Sequence, residues 1–206
     1  MFKRLVALTA LAVGTAAFAH ADSINGFFAV DGTDAFTPPP GTLTFQPGAT
    51  VEGPIGGTFA TYLTDGNPVT FASGAIPYAE GNNVPGVSIP IFSTKQNGET
   101  FLFTVSSFNA MFETGGAVGC LAGNTCLLIT GDGTFSGVGV VNYDPTPGVF
   151  EFESSYVPGQ TIGQITTFAA QASATPLPSV PEPASLALFG TGLVGLVGIA
   201  RRKLSA

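Results

Sequence analysis

An antiparallel all-β body, folded as a sandwich or jelly roll between an N-terminal signal helix and a C-terminal transmembrane helix, is the architecture this sequence predicts. Three observations carry that reading. Residues 22–173 hold short runs rich in Phe, Thr, Val and Ile, separated by Gly, Pro, Asn and Asp clusters at a spacing of about 8–12 residues. No stretch of the body keeps a helical apolar period of useful length. Charge is concentrated at the chain ends as cations and in the body as carboxylates. The organisation follows: residues 1–21 as a leader, 22–173 as the β domain, 174–180 as a Pro-containing linker and 181–206 as a separate tail.

Taken from the start, Lys3 and Arg4 precede a weakly polar to apolar run over residues 5–18, and Ala19-His20-Ala21 supplies a small-x-small cleavage pattern before Asp22. This is the layout of a secretory signal peptide, cut after Ala21 by signal peptidase. Cleavage removes His20, the single histidine of the 206 residues.

Candidate strands then lie at 24–30, 42–45, 58–63, 69–73, 87–92, 100–106, 127–130, 134–142, 149–155 and 164–171. Phe101, Phe103 and Val105 alternate with Leu102 and Thr104, which puts the two sets on opposite faces. Phe150 and Phe152 alternate with Glu151 and Glu153, so the rings face inward and the carboxylates face water. Turn chemistry is expected at Pro38-Pro39-Pro40-Gly41, Asp65-Gly66-Asn67-Pro68, Gln96-Asn97-Gly98, Asp132-Gly133 and Pro145-Thr146-Pro147-Gly148. Fifteen Phe between the two ends supply core material, each burying on the order of 150–250 Å² when enclosed.

Cys120 and Cys126 enclose five residues, and an even pair at loop spacing in an exported chain reads as a disulfide. Zinc would need two further ligands, and the processed chain offers no His and no other Cys.

Residues 22–180 carry twelve carboxylates against one cation, Lys95, a net charge of −11. Phosphate contacts need clustered Lys and Arg, so nucleic acid is excluded as a partner. Hydrolytic triads need an imidazole or Lys base beside a nucleophile, and Lys95 lies in a polar turn without one. G-x-S-x-G, Walker and zincin patterns do not occur. The Glu151/Glu153 pair sits at i, i+2 on a solvated face, which does not set two carboxylates about a glycosidic bond. The body is accordingly read as non-enzymatic, with no cofactor and no catalytic or metal residues assigned. Asp31-Gly32-Thr33-Asp34 and Asp132-Gly133-Thr134 are the segments that could hold one structural calcium, with Asx turns as the plainer reading of each. For sugar recognition Trp is absent, leaving Tyr62, Tyr78, Tyr143 and Tyr156 as a thin aromatic supply.

The tail opens with Val180-Pro181-Glu182-Pro183, continues as 17 uncharged residues over 184–200 and ends in Arg201-Arg202-Lys203. As a helix that run is about 25 Å long, just enough to cross a hydrocarbon core. The basic triplet acts as a cytoplasmic stop and leaves the body outside. Gly190, Gly192, Gly195 and Gly198 are tolerated in lipid and give a thin face for a neighbouring helix. The plainer alternative is a permanent anchor.

The order V-P-E-P, Ser185, apolar helix, R-R-K resembles the PEP-CTERM sorting signal of exported proteins from Gram-negative bacteria. The resemblance implies processing by an exosortase, a transient inner-membrane intermediate and release to the cell surface or extracellular space. It also implies association with exopolysaccharide, biofilm and the envelope. A second resemblance concerns residues 129–155, similar to a hairpin of β-rich PEP-CTERM proteins in which a (Y/F)DPTPG turn precedes an alternating aromatic strand. The resulting expectation is a structural protein of the cell surface or matrix. The alternative is a glycan- or calcium-dependent, adhesin-like binding module with extracellular polysaccharide as partner.

Overall fold

The computed structural model describes residues 22–116 and 120–176. The signal residues Ala19 and Ala21, the sorting residues Val180, Pro181, Glu182 and Pro183, the 184–200 helix and the Arg201-Arg202-Lys203 stop lie outside the described residues. Among the described residues no helix is long and apolar enough to cross a membrane.

Eleven strands appear in chain order: β1 (Gly26–Phe36), β2 (Gly41–Phe45), β3 (Ala49–Gly57), β4 (Pro68–Phe71), β5 (Ile76–Tyr78), β6 (Gly81–Asn83), β7 (Ile89–Gln96), β8 (Glu99–Thr114), β9 (Thr125–Val138), β10 (Tyr143–Tyr156) and β11 (Thr166–Ala174). Among the described residues one short helix, α1 (Thr58–Tyr62), follows β3. The all-β expectation holds, but the sandwich does not. Strand β1 pairs antiparallel with β11 from Gly26↔Ala174 to Asp34↔Thr166. The sheet order β1-β3-β4-β7-β8-β9-β10-β11 therefore returns to β1 and closes an eight-stranded barrel. Closure removes the free edges that a sandwich would leave. Beyond the ring, β2 and β5 extend the far end of β1, and β6 pairs with the far end of β8.

Several sequence boundaries are corrected, each for a packing reason. Residues 58–63, expected as a strand, form α1 and Leu63; the helix carries Phe59 into the barrel end against Phe28, Phe101 and Phe135 at 4.8, 5.0 and 5.2 Å between ring centroids. Strand β8 runs past Ser106, where the sequence reading stopped. Inward positions are odd through Phe101, Phe103 and Val105 and become even at Phe108 and Ala110, because a bulge between Val105 and Ser107 shifts the register. The runs 127–130 and 134–142 merge into β9, and Asp132-Gly133 is not a turn. Gly133 is there because β9 crosses close to β8: a Cβ would stand 2.2 Å from the Thr104 carbonyl oxygen. The D-P-T-P-G segment lies inside β10 and not in a turn; the β9–β10 connection is residues 139–142, where Gly139 takes φ +153°. Thr146 sits at a register shift in β10, buried, accepting from Ile24 N at 3.0 Å and donating to the Asp144 carbonyl at 2.9 Å.

The lumen is filled by rings. Phe28, Phe92, Phe101, Phe103, Phe135, Phe150, Phe152 and Phe168 are buried and in mutual contact, mostly edge-to-face or tilted, the arrangements ring quadrupoles prefer. The expected inward rows Phe101/Phe103 and Phe150/Phe152 are confirmed, and Glu151 and Glu153 are exposed.

Two poles result. At one, β1 begins and β11 ends, paired as Gly26↔Ala174 beside Gly148. The β7–β8 turn closes the same pole, tied to α1 by Asn97 Nδ2 donating to the Tyr62 carbonyl at 2.8 Å. At the other pole lie Phe36, Tyr156 and the Cys120–Cys126 disulfide. The bridge joins residues next to the β8–β9 pair Thr114↔Thr125. Closing so small a loop contributes about 2 kcal/mol on the chain-entropy account.

Candidate functional site

Three places gather polar side chains. The first is the far pole, beneath Tyr156. Asp34, fully buried on β1, accepts from Ser154 Oγ at 2.7 Å through Oδ1, while Oδ2 has no hydrogen-bond partner among the described residues. Burial dominates over the Ser154 hydrogen bond and pushes the Asp34 carboxyl up to about 6. Burial, then the neighbouring Tyr156 and Asp34, pushes the Tyr78 phenol up to about 12. The Tyr156 hydroxyl is saturated: it accepts from Phe36 N at 3.1 Å and Gly163 N at 3.0 Å and donates to the Gln164 carbonyl at 2.7 Å.

A raised carboxyl pKa means that the folded state binds the proton more tightly than the unfolded chain. Stability therefore rises as pH falls from 6 towards 3.8, by about 3 kcal/mol for this group at 1.36 kcal/mol per unit. Asp34→Asn keeps an acceptor for Ser154 and removes the charge. Its expected effect is a gain of about 1–3 kcal/mol at pH 8 that vanishes at pH 4, read as the difference between variant and wild-type urea unfolding at each pH. An equal difference at both pH values would contradict it.

The second place is the pole of the chain ends. Glu99 is fully buried, accepts from Val141 N at 3.0 Å through Oε2 and leaves Oε1 without a partner among the described residues. Tyr143 Oη donates to Tyr62 Oη at 3.3 Å. Burial first, then the Tyr62 hydrogen bond, raises the Tyr143 phenol well above the usual range. The carboxylate caps the turn over residues 139–142, and the tyrosines pack on Phe101.

The third is the outer wall. Asp31, Ala169 and Glu153 lie in one row across β1, β11 and β10, and Ala29, Gln171 and Glu151 in the next. Asp65 beside Glu52, with burial and Asp31 adding, raises the Glu52 pKa. Asp31 is exposed on the wall and Asp34 is inside, so the Asp31–Asp34 segment cannot present both carboxylates to one ion. Asp132 is exposed on β9, its backbone carbonyl accepting from Ser106 Oγ at 3.1 Å. Among the described residues no group of three or more His, Cys, Asp or Glu side chains is arranged to hold a metal ion. Glu151 and Glu153 share the wall at i, i+2, and Glu153 lines a second open depression with Asp31, Ser155 and Thr167. An open depression on the wall is lined by Asn82, Asn109, Met111, Leu128, Thr130 and Asp132.

Sequence reasoning placed the two cysteines together, and the structure joins them. It did not find Glu99 or Ser154 as buried polar residues. Glu99 opens a strand beside the Asn97-Gly98 turn, where a carboxylate is ordinarily solvated; the one available signal was its in-phase position two before Phe101.

Fold and side chains define a class of protein: an antiparallel barrel with its lumen packed by aromatic rings, continued by an apolar, basic-ended tail. Residues 179–203 match the PEP-CTERM protein-sorting motif. The motif marks the chain as an exosortase-targeted exported protein that passes through a membrane-anchored sorting intermediate. No curated protein and no solved structure matches the chain significantly.

Proposed function

We propose that the chain is a non-enzymatic structural protein of the cell surface or extracellular matrix of a Gram-negative bacterium, working in association with exopolysaccharide. The observation that carries the reading is the sorting motif at 179–203, which delivers the barrel outside the cytoplasm. The ring-filled lumen supports a structural role, because ligand pockets of about 300–1,000 Å³ need space that Phe92, Phe103, Phe135 and Phe150 occupy here. Glu151 and Glu153 lie at i, i+2 on one exposed strand face, a pair that does not flank a bond with an acid on one side and a base on the other. In the exporting strain, loss of the chain should weaken matrix cohesion, and re-expression should restore it. A chain carrying Glu151→Gln and Glu153→Gln should restore it equally, as measured by matrix shear resistance. Rescue by wild type but not by this variant would point to carboxylate chemistry instead.

The wall depression favours a second reading, a glycan-binding module. Asn82, Asn109 and Thr130 offer amide and hydroxyl groups beside the apolar Met111 and Leu128, a mixture suited to sugar hydroxyls and ring faces. Co-sedimentation of the exported protein with matrix polysaccharide, lost in Asn109→Ala, would favour it.

A further inference from the structure

The loops closing the pole opposite the chain ends carry no ionisable side chain. They comprise residues 37–40 between β1 and β2, 120–124 at the disulfide and 157–165 between β10 and β11. They touch one another. Tyr156 binds Phe36 N and Gly163 N through its hydroxyl. Tyr78 donates to the Thr37 carbonyl. Pro158 lies against Gly123, where a Cβ would be 3.2 Å from the proline Cγ. Out of this uncharged surface stand Leu121, Val157, Ile162 and Ile165, exposed by 77, 51, 41 and 61%. Carboxylates lie at the rim and beyond it: Glu113 near the end of β8 and Glu80 after β5 flank the pole, Asp31, Glu151, Glu153 and Asp132 are on the wall, and Asp22 and Asp144 are at the other pole, with Lys95 as the body's single cation.

We propose that this pole docks on the same pole of a second copy. Two bodies of net charge −11 that meet wall to wall bring carboxylate against carboxylate, whereas the pole's three uncharged loops let apolar side chains meet with Glu80 and Glu113 held at the rim. A lipid surface is a poorer occupant, because interfacial anchoring draws on Lys, Arg and Trp, and the pole has none of them. Pairing a surface with itself is the isologous arrangement of a twofold dimer. The geometry then sets the direction of pairing. Strand β11 ends at the opposite pole, so pole-to-pole copies place Ala174 of each at the outer ends of the pair, where each chain leaves its barrel. Such copies bridge two facing surfaces and do not pair side by side on one. The contact is homophilic and in trans, and it rests on the surface placement proposed above.

The test uses the full chain inserted through its apolar tail into vesicles of zwitterionic lipid, with bodies facing outward. Such vesicles should cluster, measured by light scattering, and more readily at high salt, which screens the repulsion between bodies. Leu121→Glu with Ile165→Glu should slow clustering about tenfold or more. Both positions are solvent-exposed, so the variant's melting curve should match wild type; Val138→Glu, exposed at the other pole, should cluster as wild type does. Loaded vesicles that fail to cluster would overturn the proposal, as would clustering unchanged in the double variant. Recruitment of protein-free vesicles would overturn it in favour of lipid, and clustering abolished by a calcium chelator in favour of an ion bridging the walls. None of these outcomes depends on where the cell places the protein. A protein that clusters vesicles but is missing from the surface fraction would refute the surface placement and leave the contact standing.

Discussion

Phe135→Ala is expected to lower the unfolding free energy by about 3–5 kcal/mol, the cost of a large cavity in a closely packed interior. Phe135 is fully buried on β9, with ring centroids of Phe103, Phe59, Phe92 and Phe28 at 4.8, 5.2, 6.1 and 6.4 Å. Its neighbours come from α1, β1, β7 and β8, so the ring couples both halves of the barrel wall through the lumen. Collapse around the missing ring is restricted, because a closed barrel cannot slide one sheet towards another as a sandwich can. Also, Gly148 approaches the ring so closely that a Cβ there would stand 2.5 Å from Phe135 Cδ2, which shows how little slack surrounds it. Natural domains are stable by about 5–15 kcal/mol, so the loss is large enough to populate the unfolded chain. Phe27→Ala, on the wall and 39% exposed, should cost about 1 kcal/mol or less. Urea denaturation of both variants checks the pair. Equal midpoints would show that the lumen is not the core.

The alternation of Phe150 and Phe152 with Glu151 and Glu153 was legible because a strand's side-chain period is two whatever sheet it joins. Closure was not. The decisive pair, Gly26 and Ala174, is 148 residues apart, and the same inward and outward pattern serves a sandwich or a barrel. Phase slips hid strand length: the bulge between Val105 and Ser107 reverses the inward set of β8, so a strict alternation reading stops at Ser106. Glycine misled in another way. At Gly133 and Gly148 it makes room for Thr104 and Phe135 inside a strand, whereas at Gly139 it serves a turn and a close approach to the Gly98 carbonyl together, and composition does not separate these uses. The tail was the most legible part, since its order of V-P-E-P, apolar run and basic triplet is a linear signal that needs no tertiary contact to be recognised.

That linear signal gives the second large effect. Glu182→Ala is expected to block processing almost completely while leaving membrane insertion intact. Insertion depends on the apolar length of 184–200 and on Arg201, Arg202 and Lys203 beyond it, and the substitution changes neither. The sorting motif spans 179–203, and within it Glu182 is the one acidic side chain, held between Pro181 and Pro183 in a segment whose φ angles the two rings restrict. A sorting protease reading the motif would meet that carboxylate, whereas insertion into the bilayer does not call on it. Uncut protein should then collect in the membrane, larger than wild type by the mass of the tail, with its acidic barrel on the outer side. Neutralising Arg201, Arg202 and Lys203 should fail differently, because the cytoplasmic stop is lost and the chain is no longer retained for cutting. A permanent anchor makes the opposite forecast: Glu182→Ala would fractionate and migrate like wild type, with the tail present in both. Immunoblots of membrane and surface fractions from the three strains decide between them, and identical bands for wild type and Glu182→Ala would leave the tail as an anchor alone.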